Sequence, residues 1–177
     1  MGAVTRLICV ICGAEYQESF TLYACRACGD LGTLRVEYDY DAVRAAVTRE
    51  SLAEQPFVDQ WRYLPLLPLR MPEVSIPLRV GATPLCQAPR LRQALGHHHL
   101  WVKDDTSNPS ASLKDRASAV AILKGRELGY DEIATASTGN AAASLACLSA
   151  ALGMRCHIFV PASAPLAKVA QLLAVGA

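Results

Sequence analysis

The sequence predicts an α/β protein with a small N-terminal metal ribbon followed by part of a parallel α/β domain. Three observations carry this. Two Cys-x-x-Cys pairs lie near the N-terminus, Cys9/Cys12 and Cys25/Cys28, with twelve residues between the pairs. A proline-rich stretch follows. From about Leu100, strand-like and helix-like runs alternate, the pattern of parallel strands joined by helical crossovers. The corresponding boundaries are residues 1–36 for the ribbon, 37–99 for a helix and a proline-rich strap, and 100–177 for the α/β part.

With 177 residues, 52% of them hydrophobic and 19% charged, the chain can build a substantial core and is not disordered. Its net charge is +1 and only 6% of residues are aromatic, so nucleic-acid binding has no support. Apolar runs are broken well short of the roughly 18 residues a membrane span requires. The opening MGAVTRLICVICG has one Arg and no apolar signal core, so a cytoplasmic chain is expected.

Two Cys-x-x-Cys knuckles supply four thiolates, the set that tetrahedral Zn²⁺ prefers. Each second cysteine is followed by glycine, Gly13 and Gly29, which lets the backbone turn so that amides point at sulfur. Cys9, Cys12, Cys25 and Cys28 are therefore the expected ligands of a structural zinc, with EYQESFTLY as a short hairpin between the pairs. The competing readings are a ribbon without stable metal, or two disulfides, which a cytosolic compartment disfavours. Only Arg6, Arg26 and Arg35 lie near the knuckles, which speaks against a nucleic-acid role. Cys86, Cys147 and Cys156 are expected to be small buried hydrophobes.

Residues 39–55 read as one helix, capped by Asp39 or Asp41, with Val43 and Val47 on one face and Leu52 extending the stripe. Seven prolines between Pro56 and Pro89, interleaved with apolar residues, suggest an extended strap lying on a surface. His97, His98 and His99 follow Gly96 and read as a polar turn, since neighbours in an extended run point to opposite faces. HLWVK is a strand. Residues 112–128 are a helix with Ser112 as N-cap, with Leu113, Ala117, Val120 and Ala121 on its inner face and Gly129 as its stop. EIATA is a strand, and NAAASLACLSAAL is a helix apolar nearly all round, hence buried, that ends at Gly153. RCHIFVP is a strand, and a last helix starts near Pro165.

Two junctions carry candidate chemistry. Lys114 follows a strand and a loop at the start of a helix, where a lysine can form a Schiff base with an aldehyde cofactor. The alternative is a surface charge. Ser137-Thr138-Gly139-Asn140 places amides and two hydroxyls at a helix N-terminus, a ready anion site, or else an ordinary Ser/Thr cap. On successive parallel strands, both junctions would face the C-terminal sheet edge where α/β proteins bind ligands. An amine beside a carboxylate cradle suits amino-acid chemistry on pyridoxal phosphate.

These motifs resemble those of the threonine synthase branch of fold type II pyridoxal-phosphate enzymes. Asn108-Pro109-Ser110-Ala111-Ser112-Leu113-Lys114-Asp115-Arg116 is similar to that family's Asn-Pro-Thr-Gly-Ser-Phe-Lys-Asp-Arg. Ser137–Ala142 resembles its substrate-carboxylate loop, Gly81–Leu85 its Gly-x-Thr-Pro-Leu segment, and Trp61-Arg62-Tyr63 also matches. Some bacterial and archaeal members carry an N-terminal zinc ribbon. The resemblance implies that the α/β part belongs to a fold type II domain. It makes Lys114 the Schiff-base lysine and general base, has Asn140 hydrogen-bond the cofactor's ring hydroxyl, and has Ser137, Thr138 and Gly139 line the substrate carboxylate site. It further implies pyridoxal 5'-phosphate as cofactor and a small amino-acid substrate, O-phosphohomoserine, which with water is converted to threonine and phosphate. A homodimer is allowed for the full-length form. Sibling enzymes, such as a cysteate synthase or threonine dehydratase, and a non-catalytic zinc-ribbon interaction module are the alternatives.

The chain departs from the family at Ala111 (usually Gly), Leu113 (usually Phe) and Ala117 (commonly Gly). In the family, the glycine-rich loop for the cofactor phosphate and the Ser or Thr facing the pyridine nitrogen lie in the second half. The expectation is an N-terminal part that is inactive alone.

Overall fold

The computed structural model describes residues 4–17, 24–70 and 76–177. They belong to two compact units, one within residues 1–56 and 61–73, the other within residues 57–60 and 74–177.

The first unit opens with β1 (Val4–Cys9), β2 (Glu15–Tyr16) and β3 (Leu34–Tyr38), an antiparallel sheet in the order β2-β1-β3. Leu7 sits at its centre, opposite Tyr16 on one side and Val36 on the other, and is buried. β2 turns back onto β1 as a hairpin would, but residues 18–23 of the expected hairpin lie outside the described residues.

The single helix expected over 39–55 is two helices, α1 (Tyr40–Ala46) and α2 (Arg49–Glu54). Asp39 caps α1, its carboxylate accepting from the amides of Asp41 at 3.1 Å and Ala42 at 2.9 Å. Val47 then leaves the helical region with φ −145° and ψ 125°. Thr48 and Ser51 form a reciprocal capping box that starts α2. The side-chain hydrogen bonds of Thr48 satisfy backbone groups that an unbroken helix would have paired internally, so the break wins over continuation. The described part of the proline-rich stretch is not a continuous extended strap. It contains 3-10 turns over Gln60–Leu66, a short strand and a helix.

In the second unit, β4 (Leu85–Gln87) and β5 (Trp101–Lys103) pair antiparallel, with Cys86 opposite Val102. They are joined through α3 (Pro89–Leu95) and the His97–His99 turn. β6 (Glu132–Ala136) and β7 (Arg155–Phe159) pair in parallel, in register from Glu132↔Arg155 to Ala136↔Phe159. The parallel arrangement therefore holds for the last two expected strands. HLWVK departs from it, because β5 takes a partner close in sequence across a short connection, which closes with little loop entropy. Both β4 and β5 are exposed along their length, so Cys86 is exposed and not the buried hydrophobe expected. Cys156 is buried and Cys147 half-buried.

The core is built around α5 (Asn140–Ala151), the helix between β6 and β7. It packs on both strands, on α4 (Lys114–Glu127) and on α6 (Leu166–Leu173). Its small residues Ala142, Ser144 and Ala146 allow close approach, and Leu148 is fully buried, as is Ile122 of α4. The inner face of α4 differs from the expected one. Asp115, Ser118, Ala119, Ile122 and Leu123 are buried, while Leu113, Ala117 and Ala121 are exposed. Alanine-rich helices offer small apolar residues on every side, so periodicity alone did not select the face. Both glycine stops hold: α4 ends just before Gly129, and α5 just before Gly153.

Burial of a complete leucine side chain in this core predicts that Leu148→Ala lowers unfolding stability by about 3 kcal/mol, measured from urea denaturation midpoints.

Candidate active site and metal centre

The four N-terminal cysteines converge. The sulfurs of Cys9, Cys12, Cys25 and Cys28 all lie within 4.8 Å of one another, with Cys12 and Cys25 Sγ 3.6 Å apart. Tetrahedral zinc with Zn–S bonds of about 2.3 Å holds its sulfurs about 3.8 Å apart, so the donor set and spacing fit that ion. The knuckle glycines have positive φ, 73° at Gly13 and 63° at Gly29. The Ile11 amide points at Cys9 Sγ from 3.4 Å. Gly32 is required by close approach: a Cβ there would stand 2.5 Å from that of Cys25 and 2.8 Å from that of Cys28. Without a cation, sulfurs this close cannot all ionise. Hydrogen bonding from Tyr16 draws the Cys25 thiol down to about 6, whereas hydrogen bonding to Cys12, together with burial, pushes Cys28 up to about 12.

In the second unit, Lys114 is the first residue of α4 and its side chain is exposed. The N-cap is Leu113, which makes no side-chain cap hydrogen bond, and not the expected Ser112: the helix begins at Lys114, and the buried Ser112 hydroxyl accepts the Lys114 amide at 3.1 Å. The loop that presents Lys114 is closed by an ion pair. Arg116 donates from Nε to Asp105 Oδ2 at 3.0 Å and from Nη2 to Asp105 Oδ1 at 2.8 Å, a two-pronged contact. Thr83 joins them, donating to Asp105 at 2.6 Å and accepting from Arg116 at 3.1 Å. Arg116 and Thr83 together hold the Asp105 carboxyl down to about 2. Inside the loop, Asp115 is completely buried and accepts from Ser110 through the amide at 2.7 Å and the hydroxyl at 2.5 Å.

A second tie runs from this loop to the Gly81–Leu85 segment. Buried Asn108 donates to the Asp105 carbonyl at 3.1 Å and accepts from the Gly81 amide at 2.9 Å. Gly81 has φ 84°, and a Cβ there would press within 3.0 Å of the Gln60 backbone nitrogen. Gln60 in turn donates to the Arg116 carbonyl at 3.2 Å. Ala111, where the family usually has glycine, has φ 57°, a left-handed conformation that glycine adopts without strain.

The Ser137–Gly139 turn sits beyond β6, beside the end of β7, where the Ser137 amide donates to the Phe159 carbonyl at 3.2 Å. Ser137 Oγ accepts from the Gly139 amide at 3.2 Å. Gly139 caps α5 with no side-chain hydrogen bond, and a Cβ on it would meet no atom within 4 Å. The amides at the start of α5 are thus approachable, as an anion cradle needs. Asn140, the first residue of α5, is exposed. The structure gathers Ser137, Thr138, Gly139 and Asn140 at one helix terminus and places Lys114 on the helix packed beside it. The expected relation, two junctions on successive parallel strands, is replaced by this helix–helix packing, because β5 lies outside the β6–β7 sheet.

Thr83, Asp105, Asn108 and Arg116 had no assigned roles in the sequence reading. Asp105 stands in the run Lys103-Asp104-Asp105, which looks like solvated charge, and no local pattern joins it to an arginine eleven residues on.

The domain that carries Lys114 and the Ser137–Asn140 turn has a family. The model described as "Pyridoxal-phosphate dependent enzyme" matches residues 76–177, and the chain belongs to that family. Particular relatives are threonine synthases. That of Methanosarcina acetivorans is 40% identical over 173 residues, covering 97% of this chain and 41% of the relative. That of Methanocaldococcus jannaschii is 37% identical over 170 residues, covering 96% and 41%. That of a Bacillus species is 38% identical over 117 residues, covering 66% and 33%. The chain spans about two fifths of the length of the two archaeal relatives. Among the described residues, no helix is long and apolar enough to cross a membrane.

Two outcomes follow. The folded pKa of Asp105 lies below the usual carboxylate value near 3.9, so its contribution to stability is complete above that pH and is lost as pH falls towards about 2. Asp105→Asn should lower stability at pH 7 by about 1 kcal/mol, solvent reaching both partners, and flatten the acid limb of a denaturation-versus-pH curve. Ala111→Gly should raise stability by about 0.5–1 kcal/mol, as relief of the left-handed alanine exceeds the entropy of glycine; thermal unfolding measures it.

Proposed function

We propose that this chain carries the lysine-bearing part of a threonine synthase-type lyase, which converts O-phosphohomoserine and water to threonine and phosphate. The observation that supports this best is the 40% identity to a threonine synthase along 97% of the chain, which takes in both the cysteine pairs and the Lys114 loop. Pyridoxal phosphate, when bound, draws electrons from the substrate's carbon skeleton and so makes its protons removable. Lys114 would hold the cofactor through its ε-amine and would carry the substrate's α and β protons, for which the clamped loop supplies a fixed origin. Asn140 donates to the cofactor's ring hydroxyl. The amides and hydroxyls of Ser137, Thr138 and Gly139 hold the substrate carboxylate at the positive end of α5. The four cysteines hold a structural zinc with no open position for substrate.

The test is incubation of the protein that carries this segment with pyridoxal phosphate, followed by borohydride fixation and peptide mass mapping. Modification of Lys114, abolished in Lys114→Ala, is the expected result; labelling spread over other lysines would overturn the assignment. In the protein that carries this segment, Lys114→Ala should lower phosphate release from O-phosphohomoserine by about 10³-fold or more.

A further inference from the structure

We propose that Tyr16 is a positioning residue of the metal centre, its hydroxyl donating to the sulfur of Cys25 and holding that ligand in place for zinc. The inference rests on the zinc reading of the four cysteines. Tyr16 is half-buried on β2, and its Oη lies 3.1 Å from Cys25 Sγ. The backbone N–H of Arg26 donates to the same oxygen at 3.1 Å. A cysteine that binds metal is a thiolate and has no proton to give. A tyrosine hydroxyl has one proton and can also accept. With the Arg26 amide on an acceptor position, the Tyr16 proton is directed at the sulfur.

Cys25 is 1% exposed, so water cannot serve its sulfur; the backbone N–H groups of Ala27 and Cys28 hydrogen-bond it, and Tyr16 adds the side-chain donor. Cys12, in contrast, is exposed and can be served by solvent. Tyr16 also has a position that Cys25 alone lacks. It follows the first cysteine pair on a strand bonded to β1, while Cys25 and Arg26 belong to the second pair. Its hydroxyl therefore ties the two knuckles together by a bond that does not pass through the metal. Groups that hydrogen-bond a metal ligand from outside typically change affinity by about 10–100-fold when removed.

The test uses the purified 177-residue chain, Tyr16→Phe, and Glu15→Gln as a control on the same strand. Zinc affinity and release are followed by competition with a chromophoric chelator at neutral pH, and Co²⁺ replaces zinc for spectroscopy. Tyr16→Phe is expected to keep one equivalent of zinc and the tetrahedral cobalt bands. It should release zinc about tenfold faster, bind it about tenfold more weakly, and shift the sulfur-to-cobalt charge-transfer band to lower energy. Glu15→Gln should match the parent chain. Equal release and an unshifted band in Tyr16→Phe would overturn the inference while leaving the zinc reading intact. Loss of the tetrahedral bands altogether would make the hydroxyl essential for forming the site at all and overturn the positioning role. A parent chain that binds no zinc would remove both.

Discussion

The Arg116 guanidinium lies across the Asp105 carboxylate with two hydrogen bonds, and most of what the second unit can do chemically depends on that contact. It joins the two ends of the loop that presents Lys114. Because Thr83 bonds both partners, the same contact anchors the loop to the Gly81–Leu85 segment. The interior is braced separately by buried Asp115, bonded to Ser110, and by Asn108, bonded to Gly81. A lysine side chain has four rotatable carbons and gains nothing from a mobile backbone. A loop tied at its ends and across its middle gives the amine a fixed origin, which positioned proton transfer requires. Motif residues around Lys114 are therefore explained by the geometry of the loop as much as by any contact with a ligand.

The four-cysteine ribbon meets a different constraint. A three-stranded sheet with one two-residue strand buries little apolar surface, Leu7 being its central side chain. Cross-linking by metal is the usual remedy for so small a core. Four sulfurs clustered within bonding reach of one ion, two left-handed knuckle glycines and a third glycine pressed against the cysteine side chains all serve the same closure. The ribbon and the lysine loop belong to different compact units, and each has its own internal reason for its residues.

How far the chain was legible follows from the range of each interaction. The cysteine pairs, the Asp39 cap and the glycines that end α4 and α5 were readable because each acts within a few residues. The split between α1 and α2 was missed because the capping box uses Ser51, a serine where a glutamate or glutamine is the familiar signal. The inner face of α4 was misread because alanines surround it, and the partner helix, not periodicity, chose Asp115, Ser118, Ala119 and Ile122. A buried aspartate beside an exposed leucine, Leu113, reverses what hydrophobicity suggests.

By itself, the sequence determined the α/β class and the four-cysteine set, and it marked Lys114 and the Ser137–Asn140 turn as candidates for an amine and an anion cradle, since these depend on residue type and short spacing. Tertiary structure alone decided that β5 pairs with β4 and leaves the β6–β7 sheet, that the Lys114 helix meets α5 side by side, and that Asp105, Thr83 and Arg116 form one cluster. Those contacts join residues far apart in the chain, and their strength comes from partial burial and two-pronged geometry that exist only after folding.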